Sequence, residues 1–294
     1  MVWQRQLQPP HNKENFLSKE FSIALLYHDI FDFPLREREV VKWSAGGALK
    51  LISARPRVQT RDGYYFLKGK DSVTERARKE SVSRVKMKVV AQARQVLDKN
   101  PDILMVGITG SLAMAASKEE SDVDFLIITK KGRLWGTRLR VLLTLIKHKV
   151  AVRRAEEKKE KDKLCLNIWM DETDMVIKHS RNAYTAHELA QTIPLINLDN
   201  TYEKLLAANR WILDYWPNVV AISNFQLPIF NQKLNPLSFL VEKCAYFLQK
   251  TYMTRKRTRE IVTPTRAFFH PFDWSTKVIK ELERRGVVDL GIAP

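Results

Sequence analysis

The sequence predicts a mixed α/β fold of the α+β kind, a mixed sheet with flanking helices. Three observations point there. Apolar runs of strand length recur in the middle of the chain, at Ile103 to Thr109, Phe125 to Ile128 and Leu164 to Met170. Stretches with helical spacing lie around them, such as Leu134, Trp135, Leu139, Leu142, Leu145 and Ile146. From Thr201 the pattern stays helical, in TYEKLLAANRWILDYW, Leu237 to Met253 and Trp274 to Arg285.

Residues 1–16 are polar, contain Pro9-Pro10 and read as a flexible arm. Residues 17–70 form a first module. Phe21 to Tyr27 reads as a buried helix, Leu35 to Trp43 as a second and Ala48 to Ser53 as a third. The segment RVQTRDGYYFLKG then reads as two strands around Asp62-Gly63, a strong hairpin dipeptide. Three short helices followed by a hairpin is the order of a winged helix. Its would-be reading segment carries only Lys50, Arg55 and Arg57, with no Asn, Gln or clustered Arg suited to base edges.

Residues 71–200 form the central domain. Ser72 and Glu75 suggest a capping box opening a lead-in helix that runs to about Leu97. Val82, Val85, Val89, Val90 and Ala93 make its apolar face, with Arg76, Lys79 and Lys86 on other sides. After the strands, Met175 to Ile177 reads as a return strand. Thr185 and Glu188 suggest a second capping box, opening a helix that ends near Pro194. Residues 201–294 read as a helical C-terminal domain packed on the sheet.

Composition narrows the class. No run of about 18 apolar residues occurs, so no transmembrane helix is expected. The first residues lack the apolar centre of a signal peptide, so a cytoplasmic protein is the plain reading. Cys165 and Cys244 are too few for a disulfide framework and match no metal-ligand spacing. The formal charge of +17 suggests an anionic partner. Between Lys130 and Lys163 there are 13 Lys/Arg against 4 Asp/Glu, a local charge of +9.

The stretch VGITGSLAMAASKEESDVDFLIIT holds the most chemistry. Gly110 lets the chain turn tightly, and the amides at the helix start after it favour anionic oxygens. Asp122 and Asp124, two apart on a strand, point to one face and can converge on a hard cation. An apolar strand, Gly-Ser, a spacer and Asp-x-Asp opening a second strand resemble the signature of the DNA polymerase β nucleotidyltransferase superfamily. With GSLAM, SDVDFLIITKKGRLW, LCLNIW and YTAHEL, residues 20–215 resemble a group of prokaryotic nucleotidyltransferase-like proteins that begin with a winged helix.

The resemblance implies Mg²⁺-dependent transfer of a nucleoside monophosphate from a nucleoside triphosphate to a hydroxyl, releasing pyrophosphate. Asp122 and Asp124 would be the catalytic and metal-binding pair, with Gly110 and Ser111 on the phosphate tail. Lys130 and Arg133, just after the strand, suit the tail's outer charge. The superfamily's usual third carboxylate is missing: the matching strand LCLNIWM offers Asn167, which can ligate or orient but brings no charge. Asp171 and Asp174 are weaker candidates for it. Glu188 reads as a helix cap, His187 as a surface residue, and Trp135 and Trp169 as core. The acceptor class left open is RNA, DNA or protein, and so is the oligomeric state. Two further readings stand: a nucleic-acid-binding regulator with a degenerate nucleotide site, and an antitoxin-type interaction protein.

Overall fold

The computed structural model describes residues 18–153, 157, 161–219, 236–254, 261–269 and 274–291. The arm read over residues 1–16 lies outside them. The first module contains α1 (Lys19–Asp29), β1 (Leu35–Arg36), α2 (Glu37–Lys42), β2 (Leu49–Leu51), β3 (Val58–Arg61) and β4 (Tyr64–Leu67). The hairpin expected at Asp62-Gly63 is present, both residues having positive φ (52° and 77°) as a tight primed turn requires. The third helix is not. Leu49 and Leu51 are buried and Lys50 is exposed, a strand's alternation, and β2 pairs antiparallel with β11 (Val287–Asp289) near the end of the chain. The segment read as the DNA-reading helix is therefore a strand.

The lead-in helix is α3 (Val73–Leu97). Its cap differs from the expected box: Asp71 Oδ1 accepts from the Val73 amide at 3.1 Å, while Glu75 pairs with Arg78. Its buried stripe also differs, running through Val73, Arg76, Lys79, Ser83, Lys86, Val90, Ala93 and Leu97, while Val85 is exposed. The spacing of three and four is helical, but four of these residues are polar, so a hydrophobicity pattern places the stripe elsewhere. Each long cation in it serves a partner. Arg76 binds Glu39 and Glu80 at 2.9 Å and lies over the Phe33 ring. Lys79 reaches the carbonyls of Phe31 and Asp32.

The rest of the chain builds one mixed sheet and its covering helices. The elements are β5 (Ile103–Ile108), α4 (Gly110–Ala113), β6 (Val123–Thr129), α5 (Leu134–Lys147), β7 (Leu164–Asp171), α6 (Ala183–Ala190), β8 (Ile193–Asn197), α7 (Thr201–Ala208), α8 (Ile212–Tyr215), α9 (Pro236–Thr254), β9 (Ile261–Val262), β10 (Arg266–Phe268) and α10 (Trp274–Arg284). The strand order is β8-β5-β6-β7-β10-β9, with β6 and β7 parallel and the other neighbours antiparallel. The C-terminal third is thus no separate helical domain: β10 and β9 extend the sheet and β11 joins the first module. Met175 to Ile177 forms no strand, and α6 starts at the Asn182 cap rather than Thr185. Pro194 sits in β8, an edge strand, where its missing amide is tolerated.

The sheet divides the core. Val123, Phe125 and Ile127 of β6 pack with α3, α5 and α9 on one face, whereas Leu126 and Ile128 pack with the first module and α6 to α8 on the other. Trp135 and Trp169 are fully buried, as expected. His187 is not on the surface. It stacks on Trp43 with ring centroids 3.8 Å apart, and its Nε2 lies 3.1 Å from His28 Nε2. His28 Nδ1 stands 2.8 Å from the Ala24 carbonyl and must donate to it, so His28 Nε2 accepts and His187 Nε2 donates. No helix among the described residues is long and apolar enough to cross a membrane.

This histidine pair predicts an acid sensitivity. Burial lowers both pKa values, that of His28 to about 4, so both rings are neutral in the fold. The unfolded chain takes up protons as pH falls through about 6.5, and the folded chain does not until far lower. The pair's contribution is complete above pH ~6.5 and shrinks between there and pH ~4. Urea unfolding from pH 7 to 5 should show wild type losing stability relative to His187→Phe as pH falls, whatever slope the carboxyl groups common to both add. An unchanged slope in that variant would count against it.

Candidate functional site

The site forms where three strand ends meet on the face covered by α6. β5 is buried along its whole length and delivers the chain to Thr109-Gly110. Gly110 turns into α4 with φ +62°, a conformation that L side chains rarely adopt. A Cβ there would stand 2.5 Å from Asp124 Oδ2. Turn and carboxylate are therefore pressed together, and only glycine fits. Gly110→Ala should push Asp124 aside and destabilise the fold by about 1 to 3 kcal/mol. A denaturation midpoint equal to wild type would rule this out.

Val123 points into the core with no exposed surface, so Asp122 and Asp124 on either side of it share the opposite face. The parallel register sets Cys165 of β7 beside Asp124. Carboxylate oxygens of Asp122 and Asp124 and the Cys165 sulfur all lie within 4.8 Å of one another. Asn167, two residues along β7, donates from Nδ2 to Asp124 Oδ1 at 2.9 Å. Its own Oδ1 is buried and has no hydrogen-bond partner among the described residues. Asn167 thus faces the aspartates, as an adapted site requires.

Three groups of this site were not assigned to it from sequence. Arg153 donates to Asp122 Oδ2 at 2.6 Å and is 4.0 Å from the Cys165 sulfur. Glu188 accepts a hydrogen bond from Gln191 Nε2 at 2.7 Å, the same nitrogen that reaches the Gly110 carbonyl at 3.3 Å, and the helix is capped by Asn182 and not by Glu188. Cys165 is the third. The charge run around Arg153 was the available signal for it. Cys165 and Glu188 gave none, because strand register and helix placement bring them in.

The electrostatics follow from crowding. Burial first, then the neighbouring Asp122 charge, holds Asp124 far above the usual carboxylate range. Burial followed by the two aspartates pushes the Cys165 thiol up. Glu188 is raised to about 7, chiefly by burial. Negative charge gathered here calls for a cation, and Arg153 partly supplies one.

Other expected residues are elsewhere. Ser111 is next to the turn, its hydroxyl 3.4 Å from that of Ser117. Lys130 and Arg133 follow the far end of β6, and Lys130 is six residue steps along the strand from Asp124, roughly 20 Å. The structure does not bring them to the aspartates. They fail because a strand carries its two ends apart. Asp171 and Asp174 are also remote, at the far end of β7: Asp171 receives the Gly132 amide and Asp174 pairs with Arg266 at 2.7 Å.

The donor set fits a divalent cation: two carboxylates, a thiol and an amide oxygen without a partner, beside a turn that only glycine can make. Magnesium prefers oxygen, and the thiol departs from that preference. No protein family model matches this chain, and no curated protein or solved structure does.

Proposed function

We propose that this chain is a divalent-cation-dependent nucleotidyltransferase of the DNA polymerase β type, moving a nucleoside monophosphate from a nucleoside triphosphate to a hydroxyl. The observation that carries the reading is the convergence of Asp122 and Asp124 on one face, against the Gly110 turn. Asp122 and Asp124 would hold the cation, which would offset charge on the phosphates. The turn through Gly110 and Ser111 is the place for the phosphate tail. In the transfer, the acceptor oxygen bonds to the α-phosphorus while the bond to the β-phosphate oxygen breaks and pyrophosphate leaves. Glu188, with a pKa of about 7, suits receipt of the acceptor's proton. Asn167 orients Asp124 in place of a third carboxylate.

A second reading rests on a specific observation. Arg153 stands on Asp122, and Gln191 ties the Glu188 carboxylate to the Gly110 carbonyl, beside the turn that a phosphate would use. A site that neutralises itself in this way suits a regulator or an antitoxin-type protein with a degenerate nucleotide site. For a DNA-binding regulator, the absence of a helix over 48–53 removes the expected reading element.

One experiment separates them. The chain is incubated with each labelled nucleoside triphosphate and Mg²⁺ or Mn²⁺, together with RNA, DNA or cell extract. Label moving to an acceptor, with pyrophosphate released, supports transfer. Nucleotide bound without any transfer supports the regulator, and neither binding nor transfer overturns both.

A further inference from the structure

The thiol beside the aspartates is the feature that the nucleotidyltransferase reading does not use. Cys165 is placed there by pairing, because the parallel register of β7 on β6 sets it directly beside Asp124. Its sulfur and one oxygen from each aspartate lie within 4.8 Å of one another. Oxygens at ~2.1 Å and a sulfur at ~2.3 Å from a tetrahedral ion stand roughly 3.5 Å apart, so small side-chain rotations close the set.

A second observation points to a ligand independently. Asn167 is 9% exposed and stands against Asp124, and its amide oxygen has no partner among the described residues. As placed, the amide nitrogen faces Asp124; a half-turn of the amide, which gives up that hydrogen bond in favour of the ion, aims the oxygen at the Asp124 side of the site. A cation there satisfies an acceptor that is otherwise left without a donor.

Ligand softness then selects the ion. Mg²⁺ binds oxygen and keeps much of its water, whereas a thiolate favours ions of the zinc class. We propose that Asp122, Asp124 and Cys165 form a site for a zinc-class divalent ion, with Asn167 oxygen as the fourth donor. On binding, the Cys165 thiol releases its proton to solvent, as does any protonated carboxyl of the aspartate pair, and the sulfur and the carboxylate oxygens join the ion. Arg153, now on Asp122, must release that oxygen or keep only the other one. This inference rests on the cation-binding part of the proposed function and makes its divalent cation a thiophilic ion in preference to Mg²⁺. Cys165 becomes the residue that sets metal preference.

The test uses the full chain with Cys244→Ser, which removes the exposed second thiol. Cd²⁺ is titrated while the ultraviolet sulfur-to-cadmium charge-transfer band is recorded, and Mg²⁺ binding is followed by calorimetry. The expected result is a band that saturates at one ion per chain and disappears in Cys165→Ser. In Asp122→Asn it should need roughly 10- to 100-fold more Cd²⁺. Cd²⁺ or Mg²⁺ bound without a sulfur band, and equally in Cys165→Ser, overturns the role of Cys165 and leaves the cation site standing. Binding of neither ion overturns the cation site as well. The wild-type band is informative even if a variant fails to fold.

Discussion

Asp124→Asn is expected to lose cation binding and nucleotidyl transfer together, yet to be more stable than wild type without metal. The carboxylate is partly buried, lies beside Asp122 and faces the Gly110 turn, so in the empty fold its charge is opposed by burial and by a like neighbour. A carboxyl whose folded pKa is raised holds a proton that the unfolded chain has released. Cation-free stability therefore falls as pH rises above the ordinary carboxylate range, and Glu188 adds to the fall up to about 7. Above pH ~6.5 the histidine pair is neutral in both states and adds no slope. Between pH 6.5 and 8, in chelator, wild type should lose stability with rising pH and Asp124→Asn should lose less. Cation affinity should fall by at least the roughly 10- to 100-fold typical of losing a partner that only supports a ligand, because Asp124 is itself a ligand. A variant that still transfers label, or is less stable than wild type across this range, would falsify the assignment of Asp124.

Lys86→Met is expected to damage both fold and site from a position on α3. Lys86 is 1% exposed, and its ammonium holds the carbonyls of Glu119 and Ser121 at 3.1 and 2.7 Å and Asp162 at 2.6 Å. Those carbonyls belong to the loop that leads directly into Asp122. Methionine keeps the length of the stem but leaves both carbonyls without this donor, a loss of about 2 to 4 kcal/mol. Asp162 is half exposed and returns to water, so its ion pair adds little. The loosened loop should also weaken cation binding, although Lys86 touches no proposed ligand. Urea unfolding and cation titration of the variant check the two effects. A stability change under about 0.5 kcal/mol, the range of an ordinary surface substitution, would show that Lys86 is not the clamp.

The sequence by itself determined what short-range periodicity controls. Alternation along β6 put Asp122 and Asp124 on one face, because side chains two apart on a strand are parallel. Gly110 and the Asp62-Gly63 turn were legible because positive φ selects few residues. The long helix ending at Leu97 was legible too. Only tertiary structure decided the rest. The Leu49 to Leu51 segment became a strand because β11, some 240 residues away, supplies its partner. Arg76 and Lys86 were buried because α3 finds carboxylates and carbonyls to hold them, a fact invisible to a hydrophobicity count. Lys130 and Arg133 were lost to the site because a strand separates its ends. Cys165, Arg153 and Glu188 were gained through the β6–β7 register and the seating of α6. Local spacing fixes which way a side chain points, but which other side chains it meets depends on pairings between distant segments, and no local pattern encodes them.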